Sequence, residues 1–154
     1  MIIIAELIAL VTALRIANLP FAVCGGLAMA IHGHPRATQD IDIIIREENL
    51  NEVLDVAKSV GFWIPSGKMP LKAKTPLAME IYRVSKVVGE KLIPLDLMLV
   101  SPALEEVWNG RISGQIGDVD CTVVSTDGLI RMKEIAARTQ DLADIEKLRA
   151  GNAT

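Results

Sequence analysis

The chain has 154 residues and a net charge of −3. It is long enough to bury a core as one domain and too acidic for a general nucleic-acid coat protein. Mean hydropathy is high at +0.37, but residues 2–14, the longest apolar run, are interrupted by Glu6 and Thr12 and stopped by Arg15. That run is short of the roughly 20 residues of a spanning helix, and it lacks the basic leader and cleavage site of a signal peptide.

Residues 3–17 read as a first helix, ended by Asn18 and Pro20. A short strand over 21–24 follows, then the pair Gly25-Gly26 and a helix from 26 to 31. Residues 33–39 form a loop carrying His34, Arg36 and Thr38, and 40–45 form a second strand, apolar after its aspartates and therefore central. Leu50, Val53, Leu54 and Ala57 have helical spacing up to Gly61. A short strand at 62–64 precedes a loop over 65–76, and strands follow at 78–85 and 92–100.

Ser101-Pro102 opens a short helix, strands at 111–116 and 119–124 join across Gly117-Asp118, and Thr126 is placed to cap a helix reaching 137. A final helix spans 140–149, with fraying from Gly151 onward. The order predicts an α/β fold: a mixed central sheet flanked by helices, with further helices at the C-terminal end. Cys24 and Cys121 lie far apart in apolar strands without ligand spacing. No disulfide framework is expected, and the cytoplasm is the default compartment.

The chemistry concentrates in three aspartates. Asp40 and Asp42 stand two apart on a strand and leave on the same face. Asp96 is the only charge among residues 92–100. Ionised carboxylates on apolar strands are costly unless paired or metal-bound. If the two strands are neighbours, three hard oxygen donors converge, a set suited to magnesium or manganese. Gly25-Gly26 adds a turn that lets phosphate oxygens approach the backbone ahead of a helix start. Arg36 is suited to a forked contact with phosphate and Lys133 to a point-charge contact. Lys133 could equally be a solvated helix lysine, and Arg138, Asp141 and Asp144, spaced by three, an element that orients the last helix. Lys68, Lys72 and Lys74 could steer an RNA end, or simply be solvated.

Residues 25–42, Gly-Gly through Arg36-x-Thr38-x-Asp40-x-Asp42, together with Asp96, resemble the nucleotidyltransferase superfamily typified by DNA polymerase beta. Within it, the chain looks most like small bacterial enzymes of the abortive-infection toxin type, whose late segment is echoed by residues 129–145. Gly26 stands where the wider superfamily commonly has serine. The resemblance implies that Asp40, Asp42 and Asp96 hold two magnesium (or manganese) ions, Asp96 also serving as base or orienter. It further implies that Gly25, Gly26, Arg36, Thr38 and Lys133 meet the nucleotide.

The expected activity is transfer of a nucleoside monophosphate from an NTP such as ATP to a hydroxyl of tRNA (at its 3′ end), protein or a small molecule. A toxin–antitoxin or phage-defence setting would follow, with an antitoxin partner or a homodimer and no membrane. The alternative is a nucleotide-binding or toxin–antitoxin interaction module of the same fold with little turnover.

Overall fold

Near-continuous runs of Ile, Leu and Val cannot face water on either side, and here they form the middle of a sheet. In the computed structural model, which describes residues 2–152, β2 (Ile41–Ile45) and β5 (Lys91–Leu99) lie side by side and parallel. Ile41, Ile43, Ile44, Ile45, Leu95 and Leu97 are all buried, as expected for central parallel strands. Among the described residues the sheet has seven strands in the order β3-β4-β5-β2-β1-β7-β6. The other members are β1 (Ala22–Cys24), β3 (Ile64–Leu71), β4 (Met79–Val88), β6 (Ile112–Ile116) and β7 (Val119–Val123). β1 runs parallel to β7, and the remaining neighbours pair antiparallel. The mixed α/β sheet expected from the sequence is the one observed.

Helix α1 (Ile2–Ile16) buries Ile3, Leu7, Leu10, Val11 and Leu14 along one stripe and packs against α3 (Leu50–Ser59). The short α2 (Gly25–Ile31) leaves directly from the end of β1. Later in the chain, α5 (Thr126–Ala136) packs against both α4 (Glu105–Asn109) and α6 (Thr139–Asn152). Among the described residues, no helix is long and apolar enough to cross a membrane.

Three local expectations need correction. Most of the predicted loop over 65–76 is strand: β3 runs to Leu71 despite Pro65 and Pro70. It does so because it is the edge strand, where one row of N–H groups has no ladder partner to lose, and because the register shifts between Pro65 and Gly67. Ser125, not Thr126, caps α5, its hydroxyl accepting from the Gly128 N–H at 3.0 Å. And α6 continues through Gly151 to Asn152, where the sequence predicts fraying.

Candidate active site

The register of the central strands sets the site. Asp42 of β2 lies directly opposite Asp96 of β5, and Asp40 lies one residue before β2 begins. Two successive outward positions on one strand therefore meet the single charged position on its neighbour. One carboxylate oxygen from each of the three residues falls within a set no wider than 4.8 Å. This crowding has an electrostatic signature. Burial first, then the charges of Asp40 and Asp96, push the Asp42 carboxyl up to about 7, against the milder opposing pull of Arg138 and Arg83. Three hard oxygen donors at this spacing, one unable to hold its charge comfortably, fit a divalent cation of the magnesium class.

Arg83, on β4 directly opposite Asp96, is a site residue that the sequence reading missed. Its Nε donates to Asp96 Oδ1 at 2.7 Å and its terminal nitrogen to Oδ2 at 2.9 Å, a two-pronged grip that fixes the carboxylate plane. The signal lay in strand alternation: once β4 and β5 form a hairpin across Gly89, residue 83 shares a face with residue 96.

Gly25 and Gly26 are demanded for different reasons. Gly25 has φ +66, and a Cβ there would collide with the Asp42 carboxylate, so the chain can turn over the acid only without a side chain. Gly26 has ordinary backbone geometry, but a Cβ would stand 2.9 Å from Thr38 Oγ1 and 3.1 Å from Thr38 Cβ. The Thr38 side chain thus fills the space into which a residue at position 26 would point. Its hydroxyl lies 3.4 Å from the Asp40 carbonyl and 3.5 Å from the Asp40 carboxylate, within donating reach of both.

Lys133 and Arg36 are found together in a buried ionic network at the junction of α5 and α6. The Lys133 ammonium donates to Asp144 at 2.9 Å and stands 3.6 Å from Asp141. Arg36 reaches the same oxygen, Asp144 Oδ2, at 2.7 Å, Gln140 donates to Oδ1 at 2.9 Å, and Arg138 holds Asp141 through Nε at 2.7 Å. Burial alone would raise both aspartates. The Lys133 and Gln140 hydrogen bonds and the charges of Lys133 and Arg36 instead bring Asp144 below the ordinary carboxylate range, and Arg138 and Lys133 do the same for Asp141. Lys133 still borders the cleft above the aspartates, beside Arg138 and Asp141. Of the surface lysines, Lys68 lies 3.7 Å from both Glu47 and Glu80, so the patch 68–74 is not uniformly basic. His32 is satisfied within the fold, Nε2 lying 2.8 Å from the Val124 carbonyl.

Comparison with known proteins bears on the fold and on part of the sequence. The family model for aminoglycoside-2''-adenylyltransferase matches residues 6–81, a segment that contains both glycines, Asp40 and Asp42 but stops short of Asp96. Among solved structures, ANT(2'')-Ia in complex with adenylyl-2''-tobramycin aligns at a TM-score of 0.62 and 14% identity, over 99% of this chain and 96% of that one. The lincosamide antibiotic adenylyltransferase LnuA, lincomycin-bound, aligns at 0.63 and 12%, over 94% and 95%. No curated protein sequence matches. The chain has the nucleotidyltransferase fold. The sequence match to the aminoglycoside-2''-adenylyltransferase model covers just under half of the chain. The chain shares its fold with ANT(2'')-Ia and LnuA along nearly its whole length, whereas the sequence match ends inside β4.

Proposed function

We propose that the protein transfers a nucleoside monophosphate from an NTP to a hydroxyl acceptor, at the cleft above Asp40, Asp42 and Asp96. The observation that carries this reading is the meeting of the three carboxylates beside a glycine that no other residue could replace. Asp40, Asp42 and Asp96 would hold divalent cations, magnesium or manganese, which supply charge neutralisation at the α-phosphate and at the departing pyrophosphate. The chain's own residues do the positioning. Gly25 lets the turn pass over Asp42, Arg83 fixes the plane of Asp96, and the Thr38 hydroxyl stands at the mouth of the phosphate turn.

In the reaction the acceptor oxygen bonds to the α-phosphorus and the bond from that phosphorus to the bridging oxygen of the β-phosphate breaks. Pyrophosphate leaves with that electron pair. The hydroxyl proton passes to a carboxylate oxygen of Asp96, which keeps lone pairs not engaged by Arg83. Little covalent work falls to the protein, as in other phosphoryl transfers. Arg36 and Lys133 act through Asp144: Lys133 lines the cleft, Arg36 lines the adjoining one that shares Asp40, and both add positive charge. Both cysteines are buried free thiols, in keeping with action in the cytoplasm.

The test is magnesium-dependent release of pyrophosphate and transfer of α-labelled NTP to candidate acceptors, wild type against Asp42→Asn. A loss of about a thousandfold is expected, the equivalent of roughly 4 kcal/mol of transition-state stabilisation. Equal labelling by the two proteins would reject the assignment. Tight NTP binding without pyrophosphate release would favour the binding module of the same fold.

A further inference from the structure

Two clefts meet at Asp40, and their walls differ in kind. One, of about 580 Å³, is polar and basic, with Arg36, Thr38, Gln140 and Lys147 around Asp40. The other, of about 350 Å³, runs from Asp40 past Asp42 and Asp96 between the sheet and α5. Beyond the acids its walls are apolar: Met69, Leu71, Ile81 and Met98 from the sheet, Leu129 and Met132 from α5. The sheet residues belong to one surface. Met69 lies opposite Ile81, and Ile81 opposite Met98, and strand alternation puts Met98 on the face that carries Asp96. These side chains are half-buried rather than sealed in the core.

The charges of this second cleft decide what it suits. Among the described residues that line it, the acids are Asp40, Asp42 and Asp96, already assigned to cations, and Asp141, which is held by Arg138 and Lys133. Arg83 and Arg138 contribute positive charge. No carboxylate is left to receive an amino group, so a polycationic acceptor would meet repulsion without a counter-ion. A triphosphate matches the basic cleft and an uncharged apolar body matches the methionine-rich one. Methionine is unbranched and polarisable, and it adapts to irregular ligand shapes.

We infer that the methionine-lined arm is the acceptor site and that the acceptor is a small hydroxyl compound with an uncharged, largely apolar body. This rests on the nucleotidyl-transfer reading and narrows it, because it separates this chain's acceptor from the polyamino sugar named with ANT(2'')-Ia. The basic arm holds the triphosphate, and the acceptor hydroxyl is presented across Asp96.

The experiment uses the full chain with ¹³C-labelled methionine methyl groups, assigned through Met69→Leu and Met98→Leu, and saturated with magnesium and α,β-methylene-ATP. Three probes are added in turn: n-hexyl β-D-glucoside, tobramycin, and the trinucleotide CCA. The glucoside is expected to shift the Met69 and Met98 methyl signals saturably, with affinity falling about tenfold in Ile81→Glu, where a carboxylate enters the apolar wall. Tobramycin and the trinucleotide are expected to leave these signals in place. The inference is overturned if the nucleotide alone occupies both methionines and excludes the glucoside, if tobramycin or the trinucleotide saturates the arm instead, or if no probe moves it. Calorimetry of magnesium–nucleotide binding separates the two levels. Binding that is intact in wild type and lost in Asp42→Asn, alongside a failed glucoside titration, sinks the acceptor class alone. Absent nucleotide binding sinks both.

Discussion

Two acidic clusters adjoin at one cleft, which Asp141 lines together with Asp40, Asp42 and Asp96, and they have opposite electrostatics. At the α5–α6 junction, Asp141 and Asp144 are buried among Lys133, Arg36 and Arg138, and both carboxyls are held below their ordinary range. Where β2 and β5 lie side by side three aspartates converge, Arg83 is bonded to Asp96, and Asp42 is pushed up to about 7. The first cluster is neutralised from within and serves the fold. The second carries unbalanced negative charge, which the fold tolerates only at a cost, and on the proposed reading that imbalance is what a divalent cation would relieve.

The comparison breaks most visibly if the internal network proves dispensable. Lys133→Met removes the central cation and leaves two buried carboxylates short of a partner. It should destabilise the protein by about 3 kcal/mol, the low end for breaking a buried pair, since Arg36, Arg138 and Gln140 remain. Urea unfolding measures this, and a loss below about 1 kcal/mol would show that the network is not what holds α6 in place.

The triad should respond in the opposite sense. A carboxyl whose pKa is raised by folding is disfavoured when it ionises, so the penalty is absent below the unfolded value of 3.8, grows between there and about 7, and is complete above it. Asp42→Asn removes it. At pH 8 without metal, the variant should be more stable than wild type by about 2 kcal/mol once partial solvent screening is allowed for, and the difference should vanish near pH 4. Thermal melts across this range read the effect directly. Magnesium should stabilise the wild type increasingly as pH rises through 7, because the Asp42 proton must leave before the cation binds. Asp141 and Asp144 act in the other direction: their contribution is present above the unfolded carboxylate range and is lost as the pH falls through their lowered values.

Arg83 tests whether the two clusters are truly separate in kind. As an orienting partner of Asp96, its loss in Arg83→Gln should weaken manganese binding about tenfold, the scale seen when a group that positions a metal ligand is removed. Arg83→Lys should not rescue it, since an ammonium cannot reproduce the fork. Tighter manganese binding in Arg83→Gln would mean that Arg83 competes with the cation, and that this cluster is also partly self-neutralised.

Which parts were legible in sequence follows the same division. Asp40, Asp42 and Asp96 stood out because charge on an apolar strand is conspicuous, and the prediction needed only that the two strands be neighbours. Arg83 was hidden because residues 78–88 alternate polar and apolar as any edge-proximal strand does. Its role depends on a hairpin register that no local pattern encodes. The spacing of Arg138, Asp141 and Asp144 pointed to an ionic group at a helix junction, yet the placement of Arg36 and Lys133 around Asp144 is long-range in sequence and beyond the reach of helical periodicity. The strand character of 65–71 was masked by Pro65 and Pro70, which speak against a strand anywhere but at a sheet edge.

The smallest effect concerns Gly26, where the wider superfamily commonly carries serine. Gly26→Ser would press a Cβ toward Thr38 Oγ1 and Cβ, at 2.9 and 3.1 Å. The Thr38 side chain is half-exposed and makes only long hydrogen bonds to Asp40, so it can yield. The expected cost is about 1 kcal/mol, typical of mild overpacking. Thr38→Ala opens the same space from the other side and should remove most of that cost when combined with Gly26→Ser. A double-mutant cycle on urea stability should therefore give a coupling of about 1 kcal/mol. Nucleotide affinity in the same four proteins shows whether one hydroxyl at this turn is interchangeable with the other. If the double variant binds the magnesium–nucleotide complex as wild type does, and Thr38→Ala alone binds it more weakly, the threonine supplies what the glycine lacks. If all four bind alike, Thr38 only fills the space, and the phosphate turn works through its backbone.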